Sequence, residues 1–218
     1  MEGQGLKAPV PEPPHLRVCI PPDIDAQTFA GGQTFVDAKT FREGMRRLAG
    51  AVCILTLRRG ELRAGLTATA VVSVSAEPPR LLVCINRNVF AHRLLEVGAA
   101  LCVNVLHEDN LKAAQSFAGM IEGVEGEQRF RHGAWRDAAE ADEAPLLEDA
   151  LGAFQCRVVE LIDASSHSMA LCEVREVHVL PRTDPAQTDP APLLYFDGRF
   201  AALDAHRNND QKNQTGKR

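Results

Sequence analysis

One stretch of the chain, GLTATAVVSVSAEPP at 65–79, constrains the fold most. Its residues alternate in character with a period of two, which is the period of a β-strand. The stretch predicts one ribbon with hydroxyl side chains on one face (Thr67, Thr69, Ser73 and Ser75, with Val71 among them) and small apolar side chains on the other (Ala68, Ala70, Val72 and Val74). Such a strand can hold a flat, phosphate-bearing ligand, but it can equally be an antiparallel strand with a solvated face.

Composition limits the function classes. The chain has 218 residues, of which 45% are hydrophobic, enough for one globular core, and its formal net charge is -5. No basic patch dominates, so nucleic acid is not expected as a partner. No apolar run reaches the roughly 18 residues of a membrane span, and no signal peptide is recognised, so we expect a cytoplasmic protein without membrane contact.

The six cysteines do not form a metal or disulfide pattern. None belongs to a C-x-x-C pair, and five lie in apolar, strand-like runs. They are therefore interpreted as small buried side chains, with no metal site expected.

The chain divides into three parts. Residues 1–34 form a proline-rich arm that cannot hold regular structure, residues 35–203 form the folded domain, and residues 204–218 form a polar tail with nothing to bury.

The domain is predicted to be mainly β, with a few helices. Strands are predicted at 51–57, 61–70, 80–86, 100–106, 153–164 and 168–180, and Asn88 is predicted to cap a short helix that follows the third of them. Short turns join neighbouring strands, so the sheet should be largely antiparallel. Closure into a split or closed barrel would remove its exposed edges.

Several common cofactor and nucleophile motifs are missing from the sequence. It contains no G-x-G-x-x-G after a strand, no G-x-x-x-x-G-K-[ST] and no G-x-S-x-G. If the protein is an enzyme, a cofactor is expected to carry the difficult step.

Six segments follow one another in an order typical of one family. They are FREGMRRLAGAVCILT at 41–56, GLTATAVVSVSAEPPRLLVCINRN at 65–88, ALCVNVL at 100–106, FQCRVVE at 154–160, SSHSMALCEV at 165–174 and PLLYFDGRF at 192–200. Together they resemble the flavin reductase family, whose members share the FMN-binding split barrel. The resemblance implies a homodimeric NAD(P)H:flavin oxidoreductase that reduces FMN or FAD with NADH or NADPH. It also implies a partner monooxygenase that receives the reduced flavin.

The resemblance also implies residue roles for the flavin. Thr67, Ala68 and Thr69 should line the isoalloxazine and ribityl chain, much of it through backbone groups, and Ser73 should lie near the phosphate end. Asn86 and Arg87 should meet the phosphate, before a helix N-terminus whose free N–H groups favour an anion. Relatives usually carry small hydroxyl residues where this chain has Phe90 and Ala91. Phe90 is therefore a candidate for packing on the flavin or the adenine of FAD, and His92 is a further candidate contact.

Three more residues are candidates for the nicotinamide. His167 stands where the family has a turn histidine near that ring, and Tyr195 and Arg199 lie in the last segment. Each has a simpler alternative, a polar turn residue for His167 and a core tyrosine for Tyr195.

Two other functions stay open at this point. A barrel of the same fold can hold flavin as a non-catalytic electron carrier or store. A small all-β interaction domain would bind no flavin at all.

Overall fold

The computed structural model describes residues 36–136, 143–181 and 190–203. The predicted arm and the predicted tail lie outside the described residues, and so do residues 137–142 and 182–189. Of the two compact units into which the chain divides, the first ends at Phe41 and the second begins at Arg42.

The helices are few and short. Helix α1 spans Ala38–Met45, and Asp37 caps it, because its Oδ1 accepts from the N–H groups of Lys39 and Thr40 at 2.9 and 3.0 Å. Helix α2 spans Leu111–Phe117. Three 3-10 helices also lie in the described residues: Phe90–Leu94, Glu108–Asn110 and Gly126–Arg131.

Twelve strands make up the rest of the regular structure of the described residues. In chain order they are β1 (Gly50–Ala51), β2 (Cys53–Arg59), β3 (Leu62–Ala68), β4 (Val71–Ala76), β5 (Pro79–Asn86), β6 (Ala100–Val105), β7 (Trp135–Arg136), β8 (Leu146–Leu147), β9 (Gly152–Ala164), β10 (His167–Val179), β11 (Leu193–Phe196) and β12 (Arg199–Ala202). Every pairing between them is antiparallel, so the predicted mainly β, antiparallel fold is confirmed.

The main sheet has seven strands in the order β3-β2-β6-β9-β10-β5-β4. Its two edge strands, β3 and β4, are consecutive in the chain and are joined only by Thr69 and Ala70. A two-residue link can span two sheet edges only if the sheet curls until they approach each other. The Cys84 N–H donates to the Ala70 carbonyl at 3.2 Å, which ties this link to β5.

The inside of the curled sheet is the main core. Its members are the inward apolar side chains of the strands and of the Phe90–Leu94 helix, including Leu55, Leu57, Leu66, Val83, Ile85, Ala91, Leu94, Leu101, Val103, Val158, Ala170 and Cys172. Burial raises the pKa of the thiols of Cys53, Cys156 and Cys172 to about 12. The interpretation of the strand cysteines as buried apolar residues is confirmed for these three and for Cys102, while Cys84 is half-buried.

The prediction of one continuous ribbon over 65–79 is wrong. The chain breaks at Thr69–Ala70 and enters the sheet again at the opposite edge, so its two halves do not share faces. Val72 and Val74, predicted on the packed face, are 57% and 52% exposed, whereas Val71 packs against the core. A register shift between Ser73 and Ser75 disturbs the alternation further.

A second core surrounds helix α2, whose Ala113, Ala114 and Phe117 pack with Val52, Ile54 and Leu106. The ring of Phe117 packs edge-on against Phe130 at 5.0 Å, and both rings contact Trp135 at 5.2 Å. Gly65 allows this close packing, because a Cβ at that position would lie 2.7 Å from a ring carbon of Phe117.

No helix among the described residues has the length and apolar character needed to cross a membrane.

Candidate functional site

The hydroxyl of Thr67 faces helix α2. Its Oγ1 donates to the carbonyl of Ala114 at 2.7 Å, while the neighbouring Ala68 side chain packs against the main core. The side-chain alternation of β3 is therefore as predicted, but the hydroxyl is used inside the protein. A ligand at this strand would meet its backbone, since β3 is an edge of the sheet in the described residues.

A small cavity of about 250 Å³ opens at the end of β3. It brings together Thr67, Ala68 and Thr69 with the side chain of Tyr195, which packs edge-on against Phe200 at 5.3 Å. Gly50 favours the close fit around Thr69, because an added Cβ would lie only 3.0 Å from the Cβ of Thr69.

A larger cavity of about 590 Å³ lies near the other end of the same strand. Ala64 and Gly65 form one wall, the 88–91 segment a second, and residues of the Gly126–Arg131 helix a third. Phe90, 50% exposed, lines this cavity as a flat apolar surface.

Arg129 supplies a cation to this larger cavity, and the sequence did not point to it. Its Nη1 donates to the Phe117 carbonyl at 3.4 Å, while its buried Nε has no hydrogen-bond partner among the described residues. The segment before it, GMIEGVEGEQ at 119–128, predicts only a glycine-rich loop. No local pattern separates Arg129 from the nearby Arg131, so only the tertiary packing could have identified it.

Two predicted phosphate residues and one predicted nicotinamide residue meet at one corner. In the register of β10 with β5, His167 lies opposite Asn86. The Arg87 N–H donates to the Ser166 carbonyl at 3.0 Å, so the residue after β5 is fixed to the turn before His167. Thus Asn86 and Arg87 lie beside His167, which follows them by about 80 positions in the sequence.

The charged groups of this corner are paired. Arg87 Nη2 lies 2.8 Å from Asp163 Oδ2, and the side chains of these residues are 39% and 73% exposed. Hydrogen bonding from the guanidinium, helped by the Ser165 N–H, lowers the pKa of the Asp163 carboxyl below its usual range.

Both histidines of the region have hydrogen-bond partners. His167 Nδ1 is 2.9 Å from the Ser166 hydroxyl, and His92 Nε2 is 2.9 Å from the hydroxyl of the buried Ser168. His92 is half-buried and its bond with Ser168 fixes the Phe90–Leu94 helix to β10.

The predicted helix N-terminus after Asn88 is wrong. The segment forms only the five-residue 3-10 helix Phe90–Leu94, and Val89 occupies its N-cap position without a side-chain cap. The Asn88 N–H instead donates to Asn86 Oδ1 at 2.9 Å. So short a helix gives little dipole support for an anion, and the cation described at this corner is Arg87.

Six of the predicted residues line neither cavity: Ser73, Asn86, Arg87, His92, His167 and Arg199. Ser73 is exposed on β4, and Arg199 has a side chain that is 76% exposed and 4.0 Å from Asp197. The described residues contain no group of three His, Cys, Asp or Glu side chains placed to hold a metal ion.

The arrangement suits a planar ligand with an anionic tail. It offers flat apolar walls, a strand edge with backbone donors and acceptors, an arginine at a corner and a histidine beside it. None of these groups is an activated nucleophile, so binding and orientation are the chemistry they can supply.

Comparisons with known proteins agree with one another. Residues 45–204 match the family described as flavin reductase like domain. An FMN reductase (NADH) of Methylorubrum extorquens, RutF 1, is 41% identical over 168 residues, which is 77% of this chain and 78% of that protein. The reductase component of 4-hydroxyphenylacetate 3-monooxygenase from Pseudomonas aeruginosa is 37% identical, over 78% of this chain and 94% of that protein. Among solved structures, BorF, the flavin reductase component of a bacterial two-component tryptophan halogenase, is 28% identical and superposes with a TM-score of 0.64 over 77% of this chain and 98% of that one.

Proposed function

This chain belongs to the family of flavin reductase like domains, and on that premise we propose that it transfers a hydride from NADH to FMN. Relatives about 40% identical over most of the chain carry that activity in their names, and they favour FMN and NADH over FAD and NADPH. The structural observation that best supports the activity is the corner itself, where the register of β10 with β5 brings His167 beside Asn86 and Arg87.

The residues of the two cavities and of the neighbouring corner fit a flavin. Ala68 and Thr69 are small enough to let a ring approach the backbone of β3. Arg87 offers a planar guanidinium to a phosphate, and its Nη2 also lies in an ion pair with Asp163. We assign the ring to the Thr67–Thr69 end of β3 and the phosphate to Asn86 and Arg87, with Phe90 and His92 as the residues that shape the far side.

The chain's own residues bind and orient the two substrates. A bound flavin supplies a hydride acceptor, so no protein nucleophile is required. The Ser166 hydroxyl occupies His167 Nδ1, which leaves Nε2 to hydrogen-bond the carboxamide of the nicotinamide. Tyr195, held by Phe200, forms an apolar wall that excludes water.

We further propose that the protein is a homodimer and that it supplies reduced flavin to a monooxygenase. The second statement is supported by two relatives whose names make them reductase components of two-component systems. The first is supported by the apolar side chains of Met45 and Leu48, which are 48% and 66% exposed and would be covered by a second copy. Light scattering would measure the mass in solution. The cytoplasmic location stays a prediction.

The activity is tested by steady-state oxidation of NADH with FMN. We expect turnover well above the background of free flavin, and a rate no higher than that background would refute the proposal and favour a flavin carrier. His167→Ala should raise KM for NADH with little change in FMN affinity. His178→Ala is the matched control, because His178 lies at the other end of the same strand and pairs with Glu176 at 3.1 Å.

A further inference from the structure

One carboxylate organises the turn between β9 and β10. Asp163 Oδ2 pairs with Arg87 Nη2 at 2.8 Å, and Asp163 Oδ1 accepts from the Ser165 N–H at 3.0 Å. Ser165 has a left-handed backbone with φ of 58°, a conformation that such a side-chain bond helps to hold. The same turn receives the Arg87 N–H through the Ser166 carbonyl.

The pair leaves the corner with little net charge. Arg87 carries one positive charge and Asp163 one negative charge, and Asp163 is the acid found in contact with Arg87 among the described residues. The lowered pKa keeps the carboxylate ionised at neutral pH. A phosphate dianion that approaches Arg87 therefore meets a cation that is already neutralised, with a like charge within a Debye length.

We propose that Asp163 competes with the flavin phosphate for Arg87 and so keeps the affinity for flavin low. This inference rests on the proposed function, in which Arg87 binds the phosphate of FMN. In that function the Arg87–Asp163 ion pair would help the protein to release flavin, because a reductase that supplies reduced flavin to another protein has to let the flavin dissociate. Asp163 is then a residue that adjusts affinity through Arg87, without being a catalytic residue.

A substitution at Asp163 can remove the negative charge and still keep the hydrogen bond that holds the turn. Asp163→Asn removes the negative charge but keeps an oxygen that can accept from the Ser165 N–H. Asp163→Ser is a second neutral variant, whose hydroxyl can accept the same bond. Glu96→Gln is the matched control, because it neutralises another exposed acid paired with an arginine, Arg59, at 3.6 Å.

The measurement is the dissociation constant of the full-length protein for two probes, FMN and riboflavin, by quenching of flavin fluorescence. Riboflavin lacks the phosphate and therefore reports on the ring site alone. We expect Asp163→Asn to lower the FMN dissociation constant by about three- to tenfold at low salt, with the gain shrinking at high ionic strength. Asp163→Asn should leave the riboflavin dissociation constant unchanged, and Glu96→Gln should leave the FMN dissociation constant unchanged. In a double variant that also carries Arg87→Gln, the gain in FMN affinity should disappear.

If Asp163 served only to hold the turn, its replacement would damage the turn and raise the FMN dissociation constant instead of lowering it. An FMN affinity that is unchanged or weaker in both neutral variants, or an equal gain for riboflavin, overturns the inference. Failure of the proposed function would show differently, as an absence of NADH oxidation in the unaltered protein. If both neutral variants fail to fold, Asp163 is a structural residue and the inference is likewise overturned.

Discussion

Replacing Thr67 by valine tests whether this hydroxyl serves the fold or the ligand. Valine has nearly the shape of threonine, so the change removes the 2.7 Å hydrogen bond from Thr67 Oγ1 to the Ala114 carbonyl and leaves the packing in place. The Ala114 carbonyl also accepts from the Ala118 N–H at 2.9 Å, so it keeps one partner after the substitution. The cost should therefore be that of one hydrogen bond without an orphaned acceptor.

That cost is about 1 kcal/mol in the free energy of unfolding. For a chain of this size the melting temperature should fall by about 2–4 °C. Urea unfolding followed by fluorescence suits the measurement, because Trp135 is the one tryptophan of the sequence and its ring lies 5.2 Å from that of Phe117 on α2. Thr67→Ser, which keeps the hydroxyl, should lose less stability.

The affinity for FMN should change by less than about twofold in Thr67→Val, since the hydroxyl already has a partner inside the protein. A variant with unchanged stability but FMN binding weakened by about tenfold, some 1.4 kcal/mol, would refute this reasoning. The side chain would then serve the flavin, as the family resemblance implied.

Three further outcomes follow from named contacts. Gly65→Ala places a Cβ 2.7 Å from the aromatic ring of α2 and should cost about 1–3 kcal/mol in unfolding free energy, whereas Gly152→Ala, with its nearest contact at 3.7 Å, is the matched control in a strand. Among the strand cysteines, Cys84 should react first with a thiol reagent at pH 8 in native protein, as mass mapping would show. The buried thiols with a pKa of about 12 should stay protected: Cys53, Cys156 and Cys172. The hydrogen bond from Arg87 lowers the pKa of the Asp163 carboxyl, so the ionised carboxylate should stabilise the fold at every pH above the ordinary aspartate pKa. This stabilisation should be lost as the pH falls through the lowered pKa. NMR of the carboxyl group should show that Asp163 titrates at lower pH in the unaltered protein than in Arg87→Gln.

Local patterns were sufficient for the longer strands of the main sheet. The segments around β5, β6, β9 and β10 were predicted within about two residues of their observed ends, because apolar runs bounded by turn residues have few alternatives. The exception was the 65–79 ribbon. Its alternation continues across Thr69 and Ala70, and periodicity alone carries no information about where a strand leaves one edge of a sheet for the other.

The candidate site was predictable only in part. The resemblance named Asn86, Arg87 and His167, and the structure brings these three together. It gave no sign that Asp163 would neutralise Arg87 or that Arg129 would line the larger cavity. Both depend on contacts between segments far apart in sequence, which a motif does not encode.

The sequence by itself determined which long segments extend and which residue types stand at the turns, because side-chain period and turn chemistry are local properties of the chain. Only the tertiary structure decided which of those residues share a site. The register of β10 against β5 places His167 opposite Asn86. The packing of α2 on β3 lets the hydroxyl of Thr67 donate a hydrogen bond to the Ala114 carbonyl. Register and packing are set by the burial of a common core, which depends on contacts between segments far apart in the chain. For this reason Asn86 and Arg87 share a corner of the sheet with His167, about 80 positions later.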